Sequence, residues 1–167
     1  LDRFPNATCI AQDGSEPMLS RAQTLMATYG GRFTPYQSDL FDANWLPKPF
    51  GPFDAAVSSS CLHNLRDFRR IRELYGEIRE QLNPGGVFLN LDLLNAPTTA
   101  LQQRYTGVAM ARRQRAGGAR EDIGAMVRRA DRAPAEVGAG PFPASLEQQP
   151  AALKAAGFKA VDCFWKD

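Results

Sequence analysis

Polar side chains stand where strands give way to turns at Asp13, at Asp39, along Ser58-Ser59-Ser60 leading to His63, and at Asp92. In open parallel α/β sheets, ligands bind over the carboxyl ends of the strands, so chemistry is expected at these positions. A carboxylate offers two acceptor oxygens at a separation that suits the vicinal diol of a ribose. Asp13 stands where such an acid would, with Gly14 allowing close approach and Ser15 opening the helix behind it. An Asx turn or a helix-capping acid accounts for the same residues equally well. Asp39 follows the next strand and could accept from an exocyclic amine such as adenine N6, or be a solvated turn aspartate. Ser58, Ser59 and Ser60 are small enough to leave room for a bound group, and they are also ordinary turn formers. His63, the only imidazole, is the candidate general base. Beside Leu62, Asn64 and Leu65 it also reads as a packing or hydrogen-bonding residue.

The elements needed to hold these residues follow from local pattern. Ala7 to Ala11 is a short apolar run without alternation, as expected of a strand buried on both faces, and Gln12-Asp13-Gly14-Ser15 closes it. Ser15-Glu16-Pro17 reads as a helix start, with the serine hydroxyl as cap and proline in the first turn. Met18, Leu19, Ala22, Leu25 and Met26 follow at helical spacing, and Gly30-Gly31 ends the helix. Arg32 to Gln37 predicts a second strand, running into Ser38-Asp39-Leu40. The stretch through Trp45, Pro47, Pro49 and Pro52 holds too many prolines for a ladder or a helix. Phe53 to Val57 predicts a third strand. A long helix is expected from Asp67 to Leu82, with Phe68, Ile71, Leu74, Tyr75, Ile78 and Leu82 on one face. Asn83-Pro84-Gly85-Gly86 should form a sharp exit into a strand over Val87 to Leu94. Strand, helix and strand repeat in that order, which predicts an α/β fold with right-handed crossovers.

Beyond Asn95 the composition changes. Residues 112–132 hold seven arginines against Glu121, Asp122 and Asp131, a local excess of four positive charges. This segment reads as one or two exposed helices separated by Gly117-Gly118, and a Pro/Gly/Ala-rich turn over Pro134 to Pro143 leads back to the fold. Ala144-Ser145-Leu146-Glu147 begins a last helix in which Leu153 and Ala156 face inward. Gly157 caps it, and Phe158 to Trp165 predicts a final strand.

The chain has 167 residues, 44% of them apolar and 23% charged, with a net charge of +2. Those values suit one soluble globular domain and exclude an acidic disordered tail, a collagen-like repeat or a highly basic nucleic-acid arm. Cys9, Cys61 and Cys163 form no CxxC pair and complete no familiar zinc spacing with His63. Scattered, odd-numbered cysteines read as reduced thiols, so the expected compartment is the cytoplasm. No apolar stretch approaches the roughly 20 residues of a membrane helix, and Leu1-Asp2-Arg3-Phe4-Pro5 has no signal-peptide pattern.

Several of these segments together resemble class I S-adenosylmethionine-dependent methyltransferases. ATCIAQDGSEPMLSRA, from Ala7 to Ala22, is similar to that family's second strand and following helix. FDAAVSSSCLHNL resembles its fourth strand and Ser/His-rich turn, and LNPGGVFLNLDLL its Pro-Gly-Gly turn into the fifth strand. LKAAGFKAVDCFW resembles its Ala-Gly-Phe turn and sixth strand. The resemblance implies a Rossmann-like, mostly parallel sheet with flanking helices, incomplete at both ends. Only twelve residues precede Asp13 and none supplies a Gly-x-Gly-x-Gly turn. The expectation is therefore an internal segment, lacking the central first strand and the last strand, that binds the cofactor weakly when isolated.

The resemblance further implies a single domain with a cofactor-binding core over 1–95, a variable helical substrate or lid region over 96–143, and a C-terminal helix and strand over 144–167. It implies S-adenosyl-L-methionine as cofactor and a small-molecule acceptor, with neither membrane nor nucleic acid as partner. Asp13 would bind the ribose diol, with Gly14 and Ser15 in its turn and Met18 flanking the adenosine. Asp39 would meet the adenine amine, Leu40 would pack on the ring, and Ser58 and Ser59 would line the floor near the methionine moiety. His63 is the one candidate base. The rival classes are a nicotinamide-dependent Rossmann oxidoreductase, disfavoured by the absence of a Tyr-x-x-x-Lys pattern, and a non-catalytic module binding an acidic partner through the arginine-rich stretch.

Overall fold

A computed structural model describes residues 1–46, 50–115 and 144–164. They divide into two compact units, Leu1–Phe53 and Asp54–Asp167.

The first unit is a strand, helix and strand. β1 (Cys9–Asp13) and β2 (Phe33–Gln37) form a parallel pair, with Cys9 opposite Phe33 and Asp13 opposite Gln37. Among the described residues β2 has no ladder neighbour besides β1, an edge position of the kind in which Pro35 is tolerated. Between them run α1 (Glu16–Leu25) and a 3-10 segment (Ala27–Arg32). Pro17 lies in the first turn of α1, where a missing N–H costs nothing. The apolar stripe of α1 is only partly used: Leu19 is buried, Ala22 and Met26 are half-buried, and Met18 and Leu25 stay exposed. Arg32 secures the chain ahead of β1 by donating from Nη1 to the carbonyls of Phe4 and Pro5, at 3.3 and 3.0 Å.

The second unit is built on β3 (Phe53–Ser59), α2 (Phe68–Gln81) and β4 (Leu82–Leu91). Asn83 Nδ2 donates to Asp54 Oδ1 at 2.9 Å near the start of both strands. Ser60 N–H donates to Leu91 O at 2.8 Å near their other ends, so β3 and β4 run in the same direction. Asp67 caps α2, its carboxylate accepting from the N–H groups of Arg69 and Arg70 at 2.8 and 3.3 Å. Ile71, Leu74, Tyr75 and Ile78 recur at the spacing of one helical face, and all are buried. Each such side chain contributes about 1.5–3 kcal/mol through the apolar surface it withdraws from water. Tyr75 packs on Phe88 of β4 (ring centroids 5.8 Å apart) and Phe88 on Phe158 (6.0 Å).

α3 (Thr99–Arg115) follows β4, and α4 (Gln148–Ala155) lies against α2. The Arg-rich stretch beyond Arg115, the Gly117-Gly118 break and the turn over 134–143 lie outside the described residues. α4 ends with Gly157 at φ 94°, its N–H bonded to Lys154 O while Phe158 N–H reaches Leu153 O. That pair of bonds satisfies carbonyls the helix itself leaves open.

Three sequence expectations are corrected. Asn83-Pro84-Gly85-Gly86 is not a separate turn: extended chain begins at Leu82, directly off α2, with Gly85 at φ 81° absorbing the irregularity. Phe158 to Phe164 is not a strand, and Trp165 lies outside the described residues. This segment and β4 line a groove of about 290 Å³, with Phe88, Asn90, Phe158 and Val161 in its wall, and no ladder joins them. Finally, the Ser15 hydroxyl makes no capping bond to α1.

Candidate functional site

The carboxyl end of the first unit's sheet carries Asp13 and Asp39 on adjacent turns. Asp13 ends β1, and its Oδ1 accepts the Ser15 N–H at 2.8 Å, which turns the chain into α1. The carboxylate thus takes the place that the Ser15 hydroxyl was expected to fill. Asp13 Oδ2 has no protein donor among the described residues, and each oxygen keeps a lone pair in reserve. Ser38 N–H donates to Asp13 O at 3.2 Å, Gln12 Nε2 to Ser38 O at 2.7 Å, and Gln37 Nε2 to Gly14 O at 3.3 Å. These bonds lash the two strand ends side by side. Asp39 makes an Asx turn of its own, Oδ1 accepting from Phe41 N–H at 2.9 Å. The turn of Asp13, Gly14 and Ser15 is therefore tied to Ser38, the residue before Asp39 and Leu40, and Met18 stands exposed in the first turns of α1. A carboxylate pinned by one backbone donor, with acceptor capacity left over, suits a ligand that brings hydroxyl donors.

The carboxyl end of β3 and β4 in the second unit carries a different cluster. A 3-10 turn, Leu62–Leu65, follows β3 and presents His63. Asp92 directly follows β4, and its Oδ1 lies 2.5 Å from His63 Nδ1. The same carboxylate accepts the backbone N–H of His63 on Oδ2 at 3.0 Å and that of Leu93 on Oδ1 at 2.9 Å. Asp92's side chain is 2% exposed and His63's 16%. A carboxylate this deep is tolerable only when paired and hydrogen-bonded, and Asp92 is both.

The turn that carries His63 is bracketed by two non-glycine residues in the left-handed region, Ser60 (φ 51°) and Arg66 (φ 55°). Such residues cost about 1–3 kcal/mol each and persist only where the surroundings over-determine them. Tyr75 lies behind the dyad, its hydroxyl bonded to Gln149 Oε1. Burial, and then the negative charge of Asp92, push its pKa well above the usual phenol range.

Ser58 and Ser59 do not share a face. The Ser60–Leu91 bond sets Ser60 against Asp92, and counting back in twos sets Ser58 against Asn90. Ser58 Oγ and Asn90 Oδ1 are buried without a partner among the described residues, whereas Ser59 is exposed. Sequence reasoning flagged Asp92 as a strand-end acid but gave it no role. Its pairing with His63 spans 29 residues and leaves no local signal; the one available clue was that both follow the carboxyl ends of successive strands. Among the described residues, no group of three or more His, Cys, Asp or Glu is placed to hold a metal ion, and no helix is long and apolar enough to cross a membrane.

Parallel strands with helices between them and acids at the strand ends give the described residues an α/β architecture. The family model described as methyltransferase domain matches residues 1–86, a stretch that includes β1, α1, β2, β3 and α2. The chain belongs to the methyltransferase domain family. No curated protein matches it.

Proposed function

We propose that the protein transfers the methyl group of S-adenosyl-L-methionine to a small-molecule acceptor. The observation that carries this reading is the Asp13 carboxylate, pinned by Ser15 N–H at the end of a parallel strand and beside the Asp39 turn. In this reading Asp13 accepts from the two ribose hydroxyls, Gly14 and Ser15 shape its turn, and Met18 flanks the adenosine. Asp39 accepts from the adenine amine and Leu40 packs on the ring. The cofactor supplies an electrophilic methyl on a sulfonium that departs with little need of acid catalysis. The chain's share of the work is then to bind, orient and exclude water.

Ligand choice tests this. Isothermal titration should detect binding of S-adenosylhomocysteine and none of a nicotinamide dinucleotide. Binding of the dinucleotide without S-adenosylhomocysteine would assign the site to hydride-transfer chemistry instead.

A further inference from the structure

We propose that Gln12 and Ser38 form a brace that fixes the span between the Asp13 and Asp39 turns, and that this span makes the site select a whole nucleoside over its sugar alone. This rests on the methyltransferase reading above and adds the residues that set ligand selectivity. Ser38 is where the two turns meet. Its N–H donates to Asp13 O at 3.2 Å, its C=O accepts from Gln12 Nε2 at 2.7 Å, and its hydroxyl donates to Trp45 O at 2.6 Å. The first of these is the last bond of the parallel ladder, in which Asp13 stands opposite Gln37. The ladder's next bond would run from Ser15 N–H to Ser38 O. Ser15 N–H goes to Asp13 Oδ1 instead, and the Gln12 side chain takes the carbonyl in its place. The ladder thus ends so that Asp13's carboxylate is pinned, and Gln12 restores the tie between the strands that this would forfeit.

A fixed span converts two weak contacts into one selective grip. Asp13 offers acceptors to a vicinal diol, and Asp39, which accepts Phe41 N–H on Oδ1, has acceptor capacity left for an amine. A ligand that reaches both turns makes its second contact as an intramolecular event, and that advantage lasts only while the separation is held. Asp39 directly follows Ser38, so the three bonds on Ser38 hold the Asp39 backbone relative to Asp13. Without the brace each carboxylate still meets its own part of the ligand, but the gain from meeting both at once declines.

Gln12→Leu removes the donor to Ser38 O, and Ser38→Ala removes the bond to Trp45 O. Isothermal titration with two ligands reads the brace: S-adenosylhomocysteine, and S-ribosylhomocysteine, which keeps the ribose hydroxyls and the amino-acid tail but has no base. Each substitution should weaken S-adenosylhomocysteine about tenfold and change S-ribosylhomocysteine by less than about twofold, at an unchanged melting temperature. An equal loss for both ligands, or no loss for either, overturns the proposal. Proton NMR of the unliganded wild-type protein needs no variant. The Gln12 side-chain amide should exchange more slowly than that of the exposed Gln23, and equal rates also overturn it. Absence of S-adenosylhomocysteine binding to the wild type would remove the methyltransferase reading itself, whereas binding that both substitutions leave intact removes only the brace.

Discussion

In the proposed reading Asp13 does two jobs, which experiment can separate. Its Oδ1 holds the Ser15 N–H at the head of α1, a local bond in a half-buried setting, and its remaining lone pairs are offered to a ligand. Asp13→Ala should therefore cost little stability, within about 1 kcal/mol for a lost turn bond, but about 1.5–3 kcal/mol of S-adenosylhomocysteine affinity from charge-assisted bonds to two hydroxyls. Gly14→Ala is the companion measurement: a Cβ there would meet Ser38 O at 3.6 Å, an ordinary contact, so the fold itself does not require glycine. Affinity lost in Gly14→Ala at unchanged melting temperature would show that a ligand approaches this backbone. Unchanged affinity in both variants would remove the turn from the site. Asp13 and Asp39 stood out in the sequence because Asp13 ends its strand and Asp39 lies two residues beyond the next one. The Asp92–His63 pair did not, because two strands and α2 must fold before the residues meet.

Elements were most legible where local chemistry and tertiary packing agree. α2 has a side-chain cap at Asp67, an unbroken stripe of Ile71, Leu74, Tyr75 and Ile78, and an internal pair in which Arg70 reaches Glu77 through two bonds of 2.6 and 3.1 Å. It was readable to within a residue. Phe158 to Phe164 has strand-like composition but lies across a groove from β4, and a strand exists only through its ladder. The start of β4 was misplaced for a related reason: Pro84 and Gly85 look like a turn in isolation, yet Asn83 is tied to Asp54 and continues the extended chain. α2 should accordingly behave as the second unit's keystone. Leu74→Ala, at a fully buried site, should destabilise by about 2–5 kcal/mol, and Asp67→Ala by about 0.5–2 kcal/mol through the lost cap. Urea unfolding measures both, and equal costs would mean that the buried stripe contributes no more than the cap.

Apolar burial is divided unequally over the molecule. Among the described residues, Leu19 is the one buried apolar side chain of the first unit, whereas the second buries Leu62, Ile71, Leu74, Tyr75, Ile78 and Leu82 besides three alanines. Local stability follows buried apolar contact, so β1, α1 and β2 should open at lower free energy than α2. A gap of about 3 kcal/mol corresponds to a roughly hundredfold difference in amide exchange. Hydrogen exchange should find the α1 amides from Leu19 to Leu25 replaced well before those from Leu74 to Ile78 of α2. The residues assigned to the ribose and adenine lie on this easily opened unit, so bound ligand has more local opening to suppress there. S-adenosylhomocysteine at about a hundred times its dissociation constant stabilises the binding-competent state by about 2.7 kcal/mol, enough to bring α1 close to the protection of α2. Exchange that is uniform over both units, or ligand protection confined to α2, would place the binding free energy elsewhere in the molecule and separate Asp13 and Asp39 from the site.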